Sequence, residues 1–435
     1  MMIESMSILI KNGTIITQNE NHDVFKGSLF IDDQVINEIS KKPISVEADI
    51  EIDAMGQIVI PGLINTHTHL PMTLLRGYGD DMGLSEWLQT RIWPVEAKLT
   101  SSSVKVGAQL GLLEMMKSGT TTFFDMYFFE DIIAQTVKEL GLRAVLGFAF
   151  IDHGTPQYPA EQLFPQAERF IREWNGDDRI IPGLAPHGTY TCGPETLQKV
   201  RGLADEYNIP IQIHCAETRD EVYDVKQQYG KRPIAQLKEN GLLADDVVLA
   251  HCGWITKNEI NEMKKTNVSV SHCPVSNMKI ATGGFAPVPE MIDANVCVSL
   301  GTDGAASNNT LDMFETMKFT ALLHKQHRWD SKVLPAQTVF DFATINGAYA
   351  LGVQDKIGSL EEGKLADLAI VDFNIPRLTP CHDPISHIVY AANGSDVRST
   401  IVHGTLLVLD NNVLTINEQQ VLTNAQEEAK VLTNS

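Results

Sequence analysis

Three textures follow one another along the chain. Residues 1–60 carry short apolar runs broken by turns: Ser7-Ile8-Leu9-Ile10-Lys11-Asn12-Gly13, then Gly27-Ser28-Leu29-Phe30-Ile31-Asp32-Asp33, then Gln34-Val35-Ile36. These read as strands, in a segment too small to bury a core alone. From 61 to 352, apolar runs of strand length alternate with longer helical stretches such as 104–117 and 194–207. The eight runs are 63–69, 121–125, 143–148, 180–185, 209–214, 247–251, 268–272 and 296–301. They show little inside–outside alternation, as expected of parallel strands buried on both faces. Eight strands alternating with helices predict a (β/α)8 TIM-like barrel, an α/β fold. From 353 to 420 the β texture returns, with a hairpin expected around Gly404. The two β-rich ends are expected to pair into one small β-sandwich beside the barrel. Residues 421–435 are polar and read as a tail or surface helix without a readable function.

Composition narrows the class. A chain of 435 residues is long for one domain, but barrels of this kind exceed the usual domain size. With 43% hydrophobic and 20% charged residues it is ordinary for a soluble protein. It has no run of eighteen apolar residues and no basic-then-apolar start, so neither a membrane span nor a secretory signal is expected. A net charge of −21 argues against nucleic acid or an acidic membrane as partner. The six cysteines (192, 215, 252, 273, 297 and 381) contain no Cys-x-x-Cys pair. That removes zinc ribbons, thioredoxin-like redox sites and the Cys-x-x-Cys deaminases. Cys215, Cys252 and Cys273 each follow a histidine and, on a strand, point to the opposite face. Their expected role is as small buried hydrophobes in a protein of the reducing cytoplasm.

The chemistry collects at the ends of the runs. In Pro61-Gly62-Leu63-Ile64-Asn65-Thr66-His67-Thr68-His69, two histidines sit two apart on a strand and share one face. His187 lies just past the fourth run, and His214, His251 and His272 close the fifth, sixth and seventh. Asp303 lies just past the eighth. Barrel enzymes place their sites at the carboxyl ends of the strands, so these side chains are expected to meet around one metal ion. His67, His69, His214 and Asp303 are the expected ligands. Three imidazoles and one carboxylate suit Zn2+, with Fe2+ or Mn2+ as alternatives. No lysine stands at a strand end to bridge two metals, so a single ion is expected. Glu217, three residues past His214, is placed to take a proton from a metal-activated water, although a glutamate in a helix's first turn is also common. His251 reads either as a fourth imidazole ligand or as a polar group holding the attacking water; the second is preferred. His272, before Cys273-Pro274, reads as structural.

The segment 61–69, His214-Cys215-Ala216-Glu217-Thr218, Val270-Ser271-His272-Cys273-Pro274-Val275-Ser276-Asn277 and Gly301-Thr302-Asp303-Gly304 together resemble the amidohydrolase superfamily. Within it, the chain is similar to deaminases of 5′-modified adenosines: 5-methylthioadenosine, S-adenosylhomocysteine and 5′-deoxyadenosine. The likeness spans nearly the whole chain. It implies further residues. Glu96, in Trp93-Pro94-Val95-Glu96, matches a glutamate that binds the ribose hydroxyls, a task suited to a carboxylate that accepts two hydrogen bonds. His187 matches a substrate-contacting histidine, Trp87 an aromatic beside the purine, and Ser307 a contact to a purine nitrogen, with a helix cap as its other reading. Relatives that grip the homocysteine carboxylate have an arginine soon after the third barrel strand; here that region reads Gly147-Phe148-Ala149-Phe150-Ile151-Asp152-His153-Gly154-Thr155. A carboxylate without a partner binds poorly, so apolar 5′ groups are expected to be preferred.

The resemblance thus implies a zinc hydrolase that converts a 5′-modified adenosine to the matching inosine and ammonia. Its partner is a small nucleoside, and a homo-oligomer is compatible with everything above. The alternatives are the same site acting on another N-heterocycle, of triazine or guanine type, or a metal-binding scaffold without catalysis. The segment 75–86, with Gly77, Gly79 and Gly83, is the candidate lid.

Overall fold

The computed structural model of the chain describes residues 6–434. Eight strands, Leu63–Thr68, Thr120–Tyr127, Arg143–Phe150, Ile180–Pro186, Ile211–Cys215, Val247–His251, Ser269–His272 and Val298–Leu300, pair in chain order. Every neighbouring pair is parallel. Each residue of the second and third strands is buried, one face towards the barrel axis and one under the helices, which is why these runs do not alternate.

The eighth strand returns to the first through a short polar seam. The Asp303 N–H donates to His67 O at 3.0 Å, Thr66 Oγ1 donates to Leu300 O at 2.9 Å, and the Asn65 amide bonds both Thr302 Oγ1 (2.7 Å) and Thr302 N–H (3.0 Å). Gly301 makes this approach feasible: a Cβ there would lie 2.7 Å from His67 Cβ and 3.0 Å from His67 O. The barrel is therefore drawn shut at the strand that carries the paired histidines.

Both chain ends build the second element, and they do so as one nine-stranded mixed sheet. The junction is antiparallel pairing of Gln57–Pro61 with Leu368–Asp372. Strand Ile8–Ile16 shifts register between Ile10 and Gly13; its first half pairs with Ile50–Asp53 and its second with Gln57–Pro61. One bent strand thus carries the sheet across a corner. Leu29 and Ile31 near one edge share a core with Ile401 and Leu406 near the other, so the sheet curls around its own apolar cluster. The hairpin Val397–Val402 to Thr405–Leu409 turns at His403 and Gly404, both at positive φ (54° and 72°), as a two-residue turn requires.

The C-terminal stretch is not a free polar tail. Residues 421–434 belong to helix Glu418–Thr433 and its cap, whose Val421, Ala425 and Leu432 are buried. This helix is tied to helix Ser101–Lys117 by Lys117 to Glu418 at 2.7 Å. Three apolar positions among polar ones make a stripe that composition alone conceals. Among the described residues, no helix is long and apolar enough to cross a membrane.

One buried ion pair joins barrel to sheet. Arg143, at the start of the third barrel strand, donates from Nε to Asp367 Oδ2 at 3.1 Å and lies 3.2 Å from His403 Nδ1. The two charged side chains are 4% and 2% exposed. Removing one partner of such a pair leaves a buried charge uncompensated, at about 3–5 kcal/mol. Asp367→Asn is expected to lower the thermal midpoint clearly while leaving metal content per folded molecule unchanged. A melting curve equal to that of the parent protein would contradict this.

Candidate active site

At the carboxyl end of the barrel the expected residues come together. A cavity of about 520 Å3 is lined by His69, Trp87, Glu96, His187, His214, Glu217, His251, Asp303 and Ser307. His67 stands behind His69, fully buried. The excursion after the first strand makes one wall: short helix Leu84–Trp87, a π-helical turn Leu88–Ile92, and helix Trp93–Glu96. His272 turns away from the centre; its Nε2 lies 3.2 Å from His324 Nε2.

Four imidazoles are aimed by their far nitrogens. Nδ1 of His67 meets Gln212 Oε1 at 2.8 Å, that of His69 Met126 O at 2.6 Å, that of His214 His187 O at 2.7 Å, and that of His251 Asn277 Oδ1 at 2.9 Å. Each partner is an acceptor, so each Nδ1 carries the hydrogen and, in the neutral ring, each Nε2 presents a lone pair. Gln212 cannot turn its amide round, because its Nε2 donates to Thr66 O at 2.7 Å.

The lone pairs converge on a carboxylate. Asp303 Oδ1 lies 3.5 Å from His67 Nε2 and 3.2 Å from His69 Nε2. The ligand atoms of His67, His69 and Asp303 lie within 4.8 Å of one another, as do those of His67, His214 and His251. His67 Nε2 is buried without a hydrogen-bond partner. Acceptors facing acceptors with no donor between them are costly in a protein interior, and a cation among them removes the conflict. The residues present therefore fit a divalent metal.

Without a cation the conflict is met by a proton held between His69 and Asp303, the proton that a metal would displace. Burial lowers His67 to about 4 and His187 to about 4, and drives His214 well below the ordinary imidazole value. Burial would lower His69 too, but Asp303 outweighs it and raises the ring to about 9. Burial would raise Asp303, yet the rings of His67 and His69 hold it well below the usual carboxylate range. Glu217 goes the other way: burial, with the Asp303 charge added, pushes it up to about 8. Its Oε2 lies 3.9 Å from His251 Nε2.

The backbone is bent to make these angles. Ala216, His251, Cys252 and Asp303 all have positive φ, at 49°, 71°, 51° and 62°. Non-glycine residues in this region are strained and gather at functional sites. At Ala216 the compensation is visible: Glu221, in the first turn of helix Arg219–Tyr229, accepts the N–H of Ala216 at 2.9 Å and of Glu217 at 2.7 Å. Thr189 Oγ1 adds a third bond at 3.3 Å.

Five residues to which the sequence assigned no role shape the site: Gln212, Glu221, Tyr127, and Ser276 and Asn277 of the segment 270–277. Gln212 was visible in principle, a polar side chain inside an apolar run and two residues before His214. Ser307 behaves differently from expectation. Its hydroxyl is engaged within the protein, 3.0 Å from Asp303 Oδ2 and 3.1 Å from Gly304 O, beside Ser276 Oγ, which donates to Asp303 Oδ2 at 2.6 Å. It still lines the cavity, and it is not the cap of helix Ala305–Asn308, whose N-cap is Gly304. Trp87 is 6% exposed and lines the cavity, as does Glu96.

The sequence profile of the amidohydrolase family matches residues 58–407. The chain is 48% identical over 410 residues to the 5-methylthioadenosine/S-adenosylhomocysteine deaminase of Thermococcus onnurineus (strain NA1), covering 94% of this chain and 95% of that one. It is 46% identical over 428 residues to the 5′-deoxyadenosine deaminase of Methanosarcina mazei, covering 98% of each. Among solved structures, a zinc-bound adenosine deaminase from Xanthomonas campestris superposes with a TM-score of 0.96 at 35% identity, over 98% of this chain and 99% of that one. A zinc complex of an atrazine chlorohydrolase from Arthrobacter aurescens TC1 shares the fold, with a TM-score of 0.92 at 24% identity, over 97% of this chain and all (100%) of that one. The barrel, the convergent imidazoles at its mouth and these end-to-end likenesses have one reading: the chain belongs to the amidohydrolase family.

Proposed function

We propose that this protein is a hydrolytic deaminase of 5′-modified adenosines, acting on 5′-methylthioadenosine, 5′-deoxyadenosine or adenosine. The observation that carries the reading is one cavity with a cation-binding cluster and Glu217 at one end and the buried carboxylate of Glu96 on its wall. Relatives named for these activities match along nearly their whole length. His67, His69, His214 and Asp303 would hold the ion; three imidazoles and a carboxylate favour Zn2+ over Fe2+ or Mn2+. Such an ion supplies Lewis-acid activation of a water at neutral pH, and its charge draws the nearby Glu217 back towards its ionised form.

The protein's own groups do the rest. Glu217 takes a proton from the attacking water and delivers it to ring N1, the atom that must gain a proton as C6 becomes tetrahedral. His251, with its hydrogen on Nδ1, accepts the water's other hydrogen at Nε2 and so aims the oxygen at C6. Asp303, held at Oδ2 by Ser276 and Ser307, keeps Oδ1 turned to the reacting side. Glu217, emptied by its transfer to N1, passes the remaining hydroxyl proton to the amino nitrogen; the C6–N bond breaks, C6=O forms, and ammonia leaves the inosine. Trp87 packs beside the base and His187 contacts the nucleoside. Glu96 accepts hydrogen bonds from the ribose hydroxyls.

The 5′ end is set by what is missing from the wall. Ile151, His153, Thr155 and Pro156, from the loop after the third strand, line the cavity, and no described lining residue is lysine or arginine. The arginines nearest in sequence have other partners: Arg143 has Asp367, Arg169 faces Tyr158, and Arg172 has Glu168 and Tyr207. A homocysteine carboxylate entering this cavity would lose water without gaining a counter-charge. Ammonia release from a panel of adenosine analogues tests the reading. We expect turnover of 5′-methylthioadenosine, with a kcat/KM about ten-fold or more above that for S-adenosylhomocysteine. Equal or better use of S-adenosylhomocysteine would refute the 5′ preference. No ammonia from any adenosine would refute the deaminase.

A further inference from the structure

We propose that Tyr127 is the positioning residue that makes Glu96 selective for an intact ribose diol, an inference that rests on the nucleoside reading above. Among the described residues Tyr127 is the one hydrogen-bond donor to the Glu96 carboxylate, from its hydroxyl to Oε1 at 2.8 Å. Both side chains are buried, at 4% and 8% exposure, and both line the cavity. Burial raises the phenol well above its ordinary value, so the hydroxyl keeps its hydrogen and donates. Burial also raises Glu96, and the Tyr127 bond works against that, favouring the ionised acceptor that a diol needs.

The tyrosine is itself fixed. Its N–H donates to Glu130 Oε1 at 3.0 Å, and its ring packs on Phe128 with centroids 5.0 Å apart. Its neighbour in the same strand end, Met126, offers the carbonyl that aims His69. Two consecutive residues of the second barrel strand therefore hold both ends of the substrate cavity: Met126 the metal-side ring, Tyr127 the ribose-side carboxylate. Glu96 itself sits at the end of a short helix behind a π-helical turn, a segment with little of its own to orient a carboxylate. With one oxygen pinned by Tyr127, the carboxylate cannot swing to follow a single hydroxyl. It presents its remaining lone pairs in one plane, as two adjacent hydroxyls require.

The test is a ratio. For the parent protein, Tyr127→Phe and Glu96→Gln, kcat/KM is measured on 5′-methylthioadenosine and on its 2′,3′-dideoxy analogue. We expect the parent to prefer the ribonucleoside, and Tyr127→Phe to lose about ten-fold or more of that preference, the scale of a hydrogen bond to a charged group. The ratio is internal to each preparation, so partial unfolding or metal loss cancels. If both rates fall together in Tyr127→Phe and the ratio stays, the tyrosine is only structural and the inference is overturned. If Glu96→Gln collapses the ratio and Tyr127→Phe does not, Glu96 reads the ribose unaided. If the parent shows no preference, or Glu96→Gln leaves it intact, the ribose assignment of Glu96 fails, and the inference with it.

Discussion

Glu217→Gln is expected to keep its metal and its fold and to lose about 10²- to 10⁴-fold in kcat, the range that a positioned general acid–base supplies. The substitution is close to isosteric. It leaves intact the backbone clamp of Glu221 on the N–H groups of Ala216 and Glu217, so the loop keeps its shape. Glutamine still accepts a hydrogen bond from water, and KM is expected to change little. What it cannot do is take a proton and pass it on. The parent carboxyl is suited to that task because burial and the Asp303 charge raise it to about 8, and a bound cation would draw it down from there. Metal analysis, a thermal melt and steady-state rates on one preparation decide the matter. Near-parental turnover with full metal would remove Glu217 from the role.

Much of this site was legible because its rule is short. Strand geometry alone puts His67 and His69 on one face, and barrel topology puts six run ends carrying His or Asp at one mouth. The structure gathers these residues in one place except His272, which turns away to His324. What could not be read is how each ring is turned. That depends on acceptors brought from other strands: Gln212 for His67, Met126 O for His69, His187 O for His214, Asn277 for His251. Two of these are backbone carbonyls, which every residue carries and no motif marks. Ser307 shows the converse: a residue picked by likeness has its hydroxyl bonded to Asp303, where Ser276, 31 residues earlier in the chain, does the same work. The single curled sheet was hidden for a related reason. A register shift between Ile10 and Gly13 lets one strand serve two neighbours, and nothing in an alternating pattern announces such a bend. For residues 421–435 a surface helix was one of two readings; its packed face was hidden by composition, its three buried apolar side chains being outnumbered by polar ones.

His67→Ala is expected to abolish metal retention and, with it, activity. His67 is common to both cation-binding groups in the cluster, His67–His69–Asp303 and His67–His214–His251, so its loss breaks both at once. It is fully buried, and its Nε2 has no other partner, so no protein hydrogen bond compensates when the ring is removed. The alanine also leaves Gln212 Oε1 facing a void rather than an imidazole N–H. Gln212→Ala should give a graded version of the same result. All the ligands remain, but the His67 ring loses the acceptor that keeps its hydrogen on Nδ1, and partners of this kind are worth about 10- to 100-fold in metal affinity. Elemental analysis after dialysis against a weak chelator reads the series: stoichiometric metal in the parent, partial loss in Gln212→Ala, none in His67→Ala. Restoring activity by excess Zn2+ should succeed for Gln212→Ala and fail for His67→Ala. A full equivalent of tightly held metal in His67→Ala would mean that the ion sits elsewhere, and that the convergence of imidazoles on Asp303 is not what the barrel mouth is built for.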